Sequence, residues 1–269
     1  MDIYYEIIGQ PLQEGRPVLV MVHGYLSSLF SYRLLTPLLE DDFTLLIFDL
    51  PGFGKSEKSK TYKHSLDNYA MTLIELIEAF KLKKVNVIGH SMGGQIGLRA
   101  ARFAPKKIER LVGLASAGYM GPVKKQLRMA TRIPTFPFFL RLYFNHYNVV
   151  NTFLEVTYDK TIVTKEMMDG YIEPLKEKAF YQSLTRLIQD REGDLSSDEV
   201  SQINQPVLLL WGKEDRIVPL EIGERFAKDL PNATLKIFTE TGHLLPEEKP
   251  QEVAAAIRTF LKQEIIEST

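Results

Sequence analysis

The 269-residue chain contains no cysteine. Disulfides, thiolate chemistry and cysteine-ligated zinc are therefore excluded outright. It has no H-E-x-x-H pair and no convincing carboxylate–histidine cluster, so no metal is expected. It also lacks a glycine fingerprint for a dinucleotide, and no cofactor is expected. A net charge of −1 gives no reason to expect nucleic-acid binding. No apolar run reaches the length of about 18 residues that a spanning helix needs, so no stable membrane insertion is expected. The opening Met1-Asp2-Ile3-Tyr4-Tyr5-Glu6 lacks the basic start and apolar core of a secretory signal. The expectation is a soluble, cytoplasmic protein. Internal repeats and low-complexity tracts are missing too. The 45% hydrophobic and 25% charged content suits one large globular core.

What is present centres on Gly89-His90-Ser91-Met92-Gly93. The apolar run Val85-Asn86-Val87-Ile88 precedes it, and a helix-like stretch from Gln95 to Phe103 follows. Strand, sharp turn and helix form the setting in which G-x-S-x-G becomes a nucleophile elbow. The flanking glycines are needed there because a Cβ would collide with the neighbouring strand or helix. A serine hydroxyl is a weak nucleophile and needs a base, which in turn needs an orienting acid. Downstream, Val207-Leu208-Leu209-Leu210-Trp211 reads as a buried strand that runs into Gly212-Lys213-Glu214-Asp215. A further strand near Ala233 to Phe238 is followed by Thr239-Glu240-Thr241-Gly242-His243. Alone, Asp215 would read as a turn cap and His243 as a solvated loop residue. Together, in the order Ser91, Asp215, His243 and each just after a strand, they read as nucleophile, acid and base.

Short apolar runs alternate with longer helical patterns, which predicts βα units and a mostly parallel sheet flanked by helices. Strands are expected at about Ile3–Ile8, Pro17–Val22, Thr44–Phe48, Lys84–Ile88, Ile108–Leu114, Val207–Trp211 and Thr234–Phe238. Helices are expected from Leu66 to Phe80 and from Pro250 to Ile266. The alternation breaks between Gly118 and Gln205. A structureless loop of that length is implausible inside a domain. The expected organisation is a core of residues 1–117 and 201–269 with a helical cap inserted at 118–200.

These motifs resemble the α/β-hydrolase superfamily, in its capped, esterase-like branch. The resemblance rests on His23-Gly24, Asp49-Leu50-Pro51-Gly52-Phe53-Gly54-Lys55-Ser56, the Gly89–Gly94 elbow, Trp211–Asp215 and Gly242-His243. It covers nearly the whole chain. It implies an α/β-hydrolase fold and an oxyanion hole formed by the backbone N–H groups of Tyr25 and Met92. It also implies a small-molecule substrate, most simply an apolar carboxylic ester. Relatives that cleave carbon–carbon bonds have a similar elbow but usually a glycine-rich oxyanion loop, whereas this chain has His23-Gly24-Tyr25-Leu26-Ser27-Ser28. Thioester cleavage is compatible with the same residues, and so is a ligand receptor that keeps the triad.

Other signals read as structural. Asp49 stands where a Walker A loop needs glycine, so Asp49–Ser56 is a tight turn. His23 precedes the serine and is expected to tie down the oxyanion loop, and His90 to support the site. His64 and His146 have no partner pattern and are expected at surface or cap positions. From Arg110 to Leu154 the chain has no Asp or Glu, but it has Arg110, Lys124, Lys125, Arg128, Arg132 and Arg141 among many aromatics. The expectation is that Phe136, Phe138, Phe139 and Phe144 line an apolar substrate pocket. The competing reading is a weak association with membrane surfaces.

Overall fold

The computed structural model describes residues 1–12, 15–144 and 146–262, and the side chains of His146 and Tyr147 also lie outside the described part. Among the described residues, runs of branched and aromatic side chains form seven strands: β1 (Tyr5–Ile8), β2 (Val18–Val22), β3 (Thr44–Phe48), β4 (Val85–His90), β5 (Ile108–Leu114), β6 (Val207–Gly212) and β7 (Ala233–Phe238). They make one sheet in the order β1-β3-β2-β4-β5-β6-β7. Only β1 runs antiparallel to its neighbour. Every residue of β2, β3, β4 and β6 is buried. Successive side chains of a strand point to opposite faces, so both faces of the sheet are covered.

The covering comes from helices α1 (Leu66–Ala79), α2 (Met92–Phe103), α9 (Leu220–Asp229) and α11 (Pro250–Lys262), with short α10 (Leu245–Glu248) before the last. Ser65 caps α1 by accepting from the Asn68 N–H, and Leu66, Tyr69, Leu73, Ile74 and Ile77 form its buried stripe. Helix α2 packs across β2, β4 and β5 and against α1. Between β5 and β6 the described chain forms helices: α3 (Lys125–Ala130), α4 (Phe136–Tyr143), α5 (His146–Val156), α6 (Lys165–Ile172), α7 (Lys178–Asp190) and α8 (Ser197–Val200). This insertion is strapped to the core where it returns. Asp190 accepts from the His64 N–H, Glu192 from the Leu66 N–H and Asp194 from Gln95 Nε2. The first two carboxylates sit at the positive end of α1, where negative charge is stabilising.

From β3 the chain crosses back over β2 to reach β4, so the winding reverses between β2 and β4. The crevice outside the carboxyl ends of the strands at such a reversal is where α/β sheets bind ligands. The segments after β2 and β4 are His23-Gly24-Tyr25 and Ser91. Some element limits differ from expectation. The first strand begins at Tyr5 rather than Ile3, and only Ser91 separates β4 from α2. Residues after Lys262, including the expected helix end at Ile266, lie outside the described part. No helix of the described residues is long and apolar enough to cross a membrane.

Leu209 is fully buried in β6, whereas Lys236 in β7 is exposed. Leu209→Ala should lower the unfolding free energy by about 2–5 kcal/mol in urea titration, and Lys236→Ala by about 0.5 kcal/mol or less. Equal effects would contradict this placement of the core.

Candidate active site

Ser91 has φ 53° and ψ −116°, a left-handed conformation that is strained for any residue with a Cβ. The surrounding backbone holds it there. Its N–H donates to Leu114 O at 2.9 Å, and its carbonyl accepts from Ala117 N at 2.9 Å and Gly94 N at 3.0 Å. The turn fits only because two neighbours lack side chains. A Cβ on Gly89 would lie 2.3 Å from the Gly93 carbonyl carbon, and one on Gly93 would lie 2.0 Å from Val22 O. The glycines thus let α2 start directly over the ends of β2 and β4.

Asp215 and His243 meet after β6 and β7. The Asp215 side chain is fully buried and accepts from His243 Nδ1 at 2.8 Å through Oδ2. Its other oxygen accepts from the N–H groups of Ile217 at 2.8 Å and Val218 at 2.9 Å. The carboxylate is therefore fixed on both sides, and the imidazole presents Nε2 as its free nitrogen. Ser91 Oγ makes no hydrogen bond among the described residues. Such a contact commonly tightens only in the complex with substrate.

The loop that carries His243 is tied down from several directions. The His243 N–H donates to Val156 O at 2.8 Å, and its carbonyl accepts from His90 Nε2 at 2.8 Å. The Glu248 carboxylate accepts from the N–H groups of Gly242 at 3.0 Å, Leu244 at 3.2 Å and Tyr158 at 2.8 Å. Glu214 accepts from the Thr241 N–H at 3.0 Å. Glu248 and the insertion residues Val156 and Tyr158 carried no local signal in the sequence. Their link to His243 exists only through backbone groups brought together by the fold.

His23 holds the facing loop. Its Nε2 accepts from the Leu50 N–H at 3.0 Å and its Nδ1 donates to Gly24 O at 2.8 Å. Asp49 organises the turn behind it, accepting from Leu29 N and Lys55 N at 2.7 Å each. The N–H groups of Tyr25 and Met92 donate to no protein group among the described residues. Both residues line the same cavity as Ser91.

That cavity has a volume of about 220 Å³. The insertion contributes Met120, Val123, Leu187, Ile188 and Arg191 to its walls, and the core adds Gln95, Ile217 and Val218. Arg191 is not a free cation, because it donates to Asp194 at 2.7 Å. Burial pushes the Asp194 carboxyl up, but hydrogen bonds from Gln95 and Arg191 outweigh it and hold the group below the ordinary range. A larger cavity of about 710 Å³ lies elsewhere, among Tyr4, Arg33, Lys55 and Glu173, and shares no wall with this one. Among the described residues, no three His, Asp or Glu side chains converge to hold a metal ion.

Two expectations need correction. Phe136, Phe138, Phe139 and Phe144 are not walls of the Ser91 cavity. Helix α7 supplies the wall with Leu187 and Ile188, while α4 packs against α7 and leaves Phe138 and Phe139 about 60% exposed, at 59% and 61%. The amphipathic run Leu184–Ile188 carried the signal for this wall. His64 is not at the surface. It is fully buried, with Nδ1 2.7 Å from Tyr69 Oη.

A parallel sheet with a strained serine at its winding reversal, and an acid–histidine pair after the next strands, defines an α/β hydrolase. A family model described as the alpha/beta hydrolase fold matches residues 17–250, and the chain belongs to this family. It is 41% identical over 262 residues to "Uncharacterized hydrolase YugF" of Bacillus subtilis, which covers 97% of this chain and 95% of that one. It is 26% identical to a 2-hydroxy-6-oxononadienedioate/2-hydroxy-6-oxononatrienedioate hydrolase of Burkholderia vietnamiensis, over 93% of this chain and 88% of that one. The solved meta-cleavage product hydrolase of Pseudomonas fluorescens has a TM-score of 0.79 at 22% identity, covering 96% of this chain and 93% of that one. That likeness is one of fold.

Burial lowers the pKa of His90 to about 3 and that of His64 to about 4. Both rings are therefore neutral in the fold, whereas an unfolded histidine takes up a proton below about pH 6.5. Between about pH 6.5 and 4 the unfolded state binds more protons, so stability is present above that window and is lost as pH falls through it. Urea titrations near pH 7 and pH 5 should differ by up to about 2 kcal/mol per histidine. His64→Gln should shrink that difference by up to about 2 kcal/mol. Equal stability at the two pH values would contradict the neutral, buried state.

Proposed function

We propose that the protein is a serine hydrolase that cleaves carboxylic esters with an apolar acyl or alcohol part. The observation that carries this reading is the Asp215–His243 hydrogen bond of 2.8 Å, formed beside a serine held in the elbow conformation. In this mechanism Ser91 Oγ attacks the ester carbonyl while His243 Nε2 takes its proton. The free N–H groups of Tyr25 and Met92 stabilise the oxyanion, and one such donor is worth about 3–4 kcal/mol. His243 then protonates the departing alcohol. It next activates water, which releases the acyl group from Ser91. Asp215 keeps the proton on Nδ1 and stabilises the imidazolium. The helical insertion, residues 118–200, serves as a cap whose apolar side chains receive the substrate.

Carbon–carbon bond cleavage is a second reading. One observation favours it: Arg191 is a cation in the cavity wall, and the Burkholderia vietnamiensis relative is named for dienedioate and trienedioate substrates. Asp194 already neutralises Arg191, however, and the remaining insertion walls are apolar. An uncharged ester fits that balance better, because a second carboxylate would have to compete with Asp194.

A fluorophosphonate probe should label Ser91, and Ser91→Ala should abolish both labelling and turnover of p-nitrophenyl esters. Asp215→Asn should cut kcat by about 10⁴ with the fold intact, while Glu214→Gln changes it little. Along an acyl series kcat/KM should rise from acetyl by up to about 0.8 kcal/mol per CH₂, then fall once the cavity is full. Undiminished turnover in Ser91→Ala would overturn the assignment. Turnover of dienedioates but not of esters would favour the second reading.

A further inference from the structure

The outer surface of α3 and α4 breaks the usual pattern of a surface helix. A helix at a protein surface normally turns a polar face to water. Helix α4 instead turns out Phe138, Phe139, Leu142 and Tyr143, while Leu140 packs against the core. In α3 and the turn after it, Leu127, Met129 and Ile133 are also exposed. Of the 18 large apolar side chains exposed among the described residues, eight fall between Met120 and Tyr143. Scattered exposed apolar residues are ordinary, but a concentration of this kind marks an interaction surface.

The charges beside this surface decide what it fits. Lys124, Lys125, Arg132 and Arg141 are exposed, and none is in an ion pair among the described residues. No Asp or Glu occurs in the stretch from Arg110 to Leu154 that carries them. A second copy of the chain would be a poor occupant. A two-fold interface sets the same patch against itself, so these cations would face one another without a counter-charge. An anionic lipid surface supplies that counter-charge. Its interfacial region also accommodates Phe, Tyr and Leu side chains at shallow depth.

We propose that α3 and α4 form a docking face for the surface of an anionic bilayer. Phe138, Phe139, Leu142 and Tyr143 enter the interface, while Lys124, Lys125, Arg132 and Arg141 meet the lipid phosphates. The face is continuous with the site. Met120 is 48% exposed and is also a wall of the Ser91 cavity, and the chain runs from it through Val123 directly into α3. Docking would therefore bring the bilayer close to a segment that walls the cavity. Binding is read without turnover, so the inference stands or falls separately from the ester chemistry.

The test is co-sedimentation of the full chain with vesicles of phosphatidylcholine alone and of phosphatidylcholine mixed with phosphatidylglycerol. At low salt the bound fraction should be at least about tenfold greater on the mixed vesicles, and about half-molar salt should release it. The double variant Phe138→Ser/Phe139→Ser should lose about tenfold in partitioning. The set Lys124→Gln, Lys125→Gln, Arg132→Gln and Arg141→Gln should abolish the preference for anionic lipid. The melting temperature of both variants should match the parent, which separates lost docking from lost folding. Equal partitioning onto both vesicles, or none onto either, would overturn the proposal. So would concentration-dependent dimerisation that Phe138→Ser/Phe139→Ser abolishes, because a second copy would then cover the face.

Discussion

The site depends first on the strained backbone of Ser91. At φ 53° the Ser91 backbone stores on the order of 1–3 kcal/mol, which the fold must offset elsewhere. It is offset by three hydrogen bonds: Ser91 N donates to Leu114 O, and Ser91 O accepts from Ala117 N and from Gly94 N in the first turn of α2. They hold because β4 lies at the centre of the sheet, between β2 and β5. Moving either neighbour would expose backbone groups that have no water to turn to. The same strain lifts the hydroxyl away from the sheet and aims the first N–H groups of α2 at the cavity.

The second half of the site is built differently. His243 lies on a loop, and its position is set by hydrogen bonds to main-chain groups. Val156 O and His90 Nε2 bond to the His243 main chain, while the Glu248 carboxylate from α10 links Gly242 and Leu244 to Tyr158 of the insertion. The insertion thus does more than wall the cavity. Any shift of the segment at Val156–Tyr158 is transmitted to the imidazole through these bonds. The Ser91–His243 hydrogen bond is absent among the described residues, and a contact of this kind commonly tightens only when substrate is bound.

Much of this was legible in the sequence. The six parallel strands follow from apolar runs bounded by turn residues. The Ser91, Asp215 and His243 positions follow from their order after those strands. The Gly89 and Gly93 collisions follow from the motif, because the G-x-S-x-G turn has a single geometry. What was hidden depended on facing directions. Phe138 and Phe139 read as pocket walls because aromatics are usually buried, but which side of α4 meets α7 is a tertiary fact. His64 read as exposed because nothing nearby in the sequence pairs with it, yet Tyr62 and Tyr69 enclose its ring. Glu248 stayed invisible because its partners are main-chain N–H groups, which every sequence has.

In the proposed ester mechanism, Ser91 carries the acyl group between two chemical steps. Rapid acid quench of the protein with a p-nitrophenyl ester, followed by intact-mass and peptide mass spectrometry, reads this intermediate directly. The account predicts a transient gain of one acyl mass on the peptide that contains Ser91, formed in step with p-nitrophenol release and lost during turnover. Ester turnover with no acyl mass on that peptide at any time, or with the mass on another residue, would contradict it.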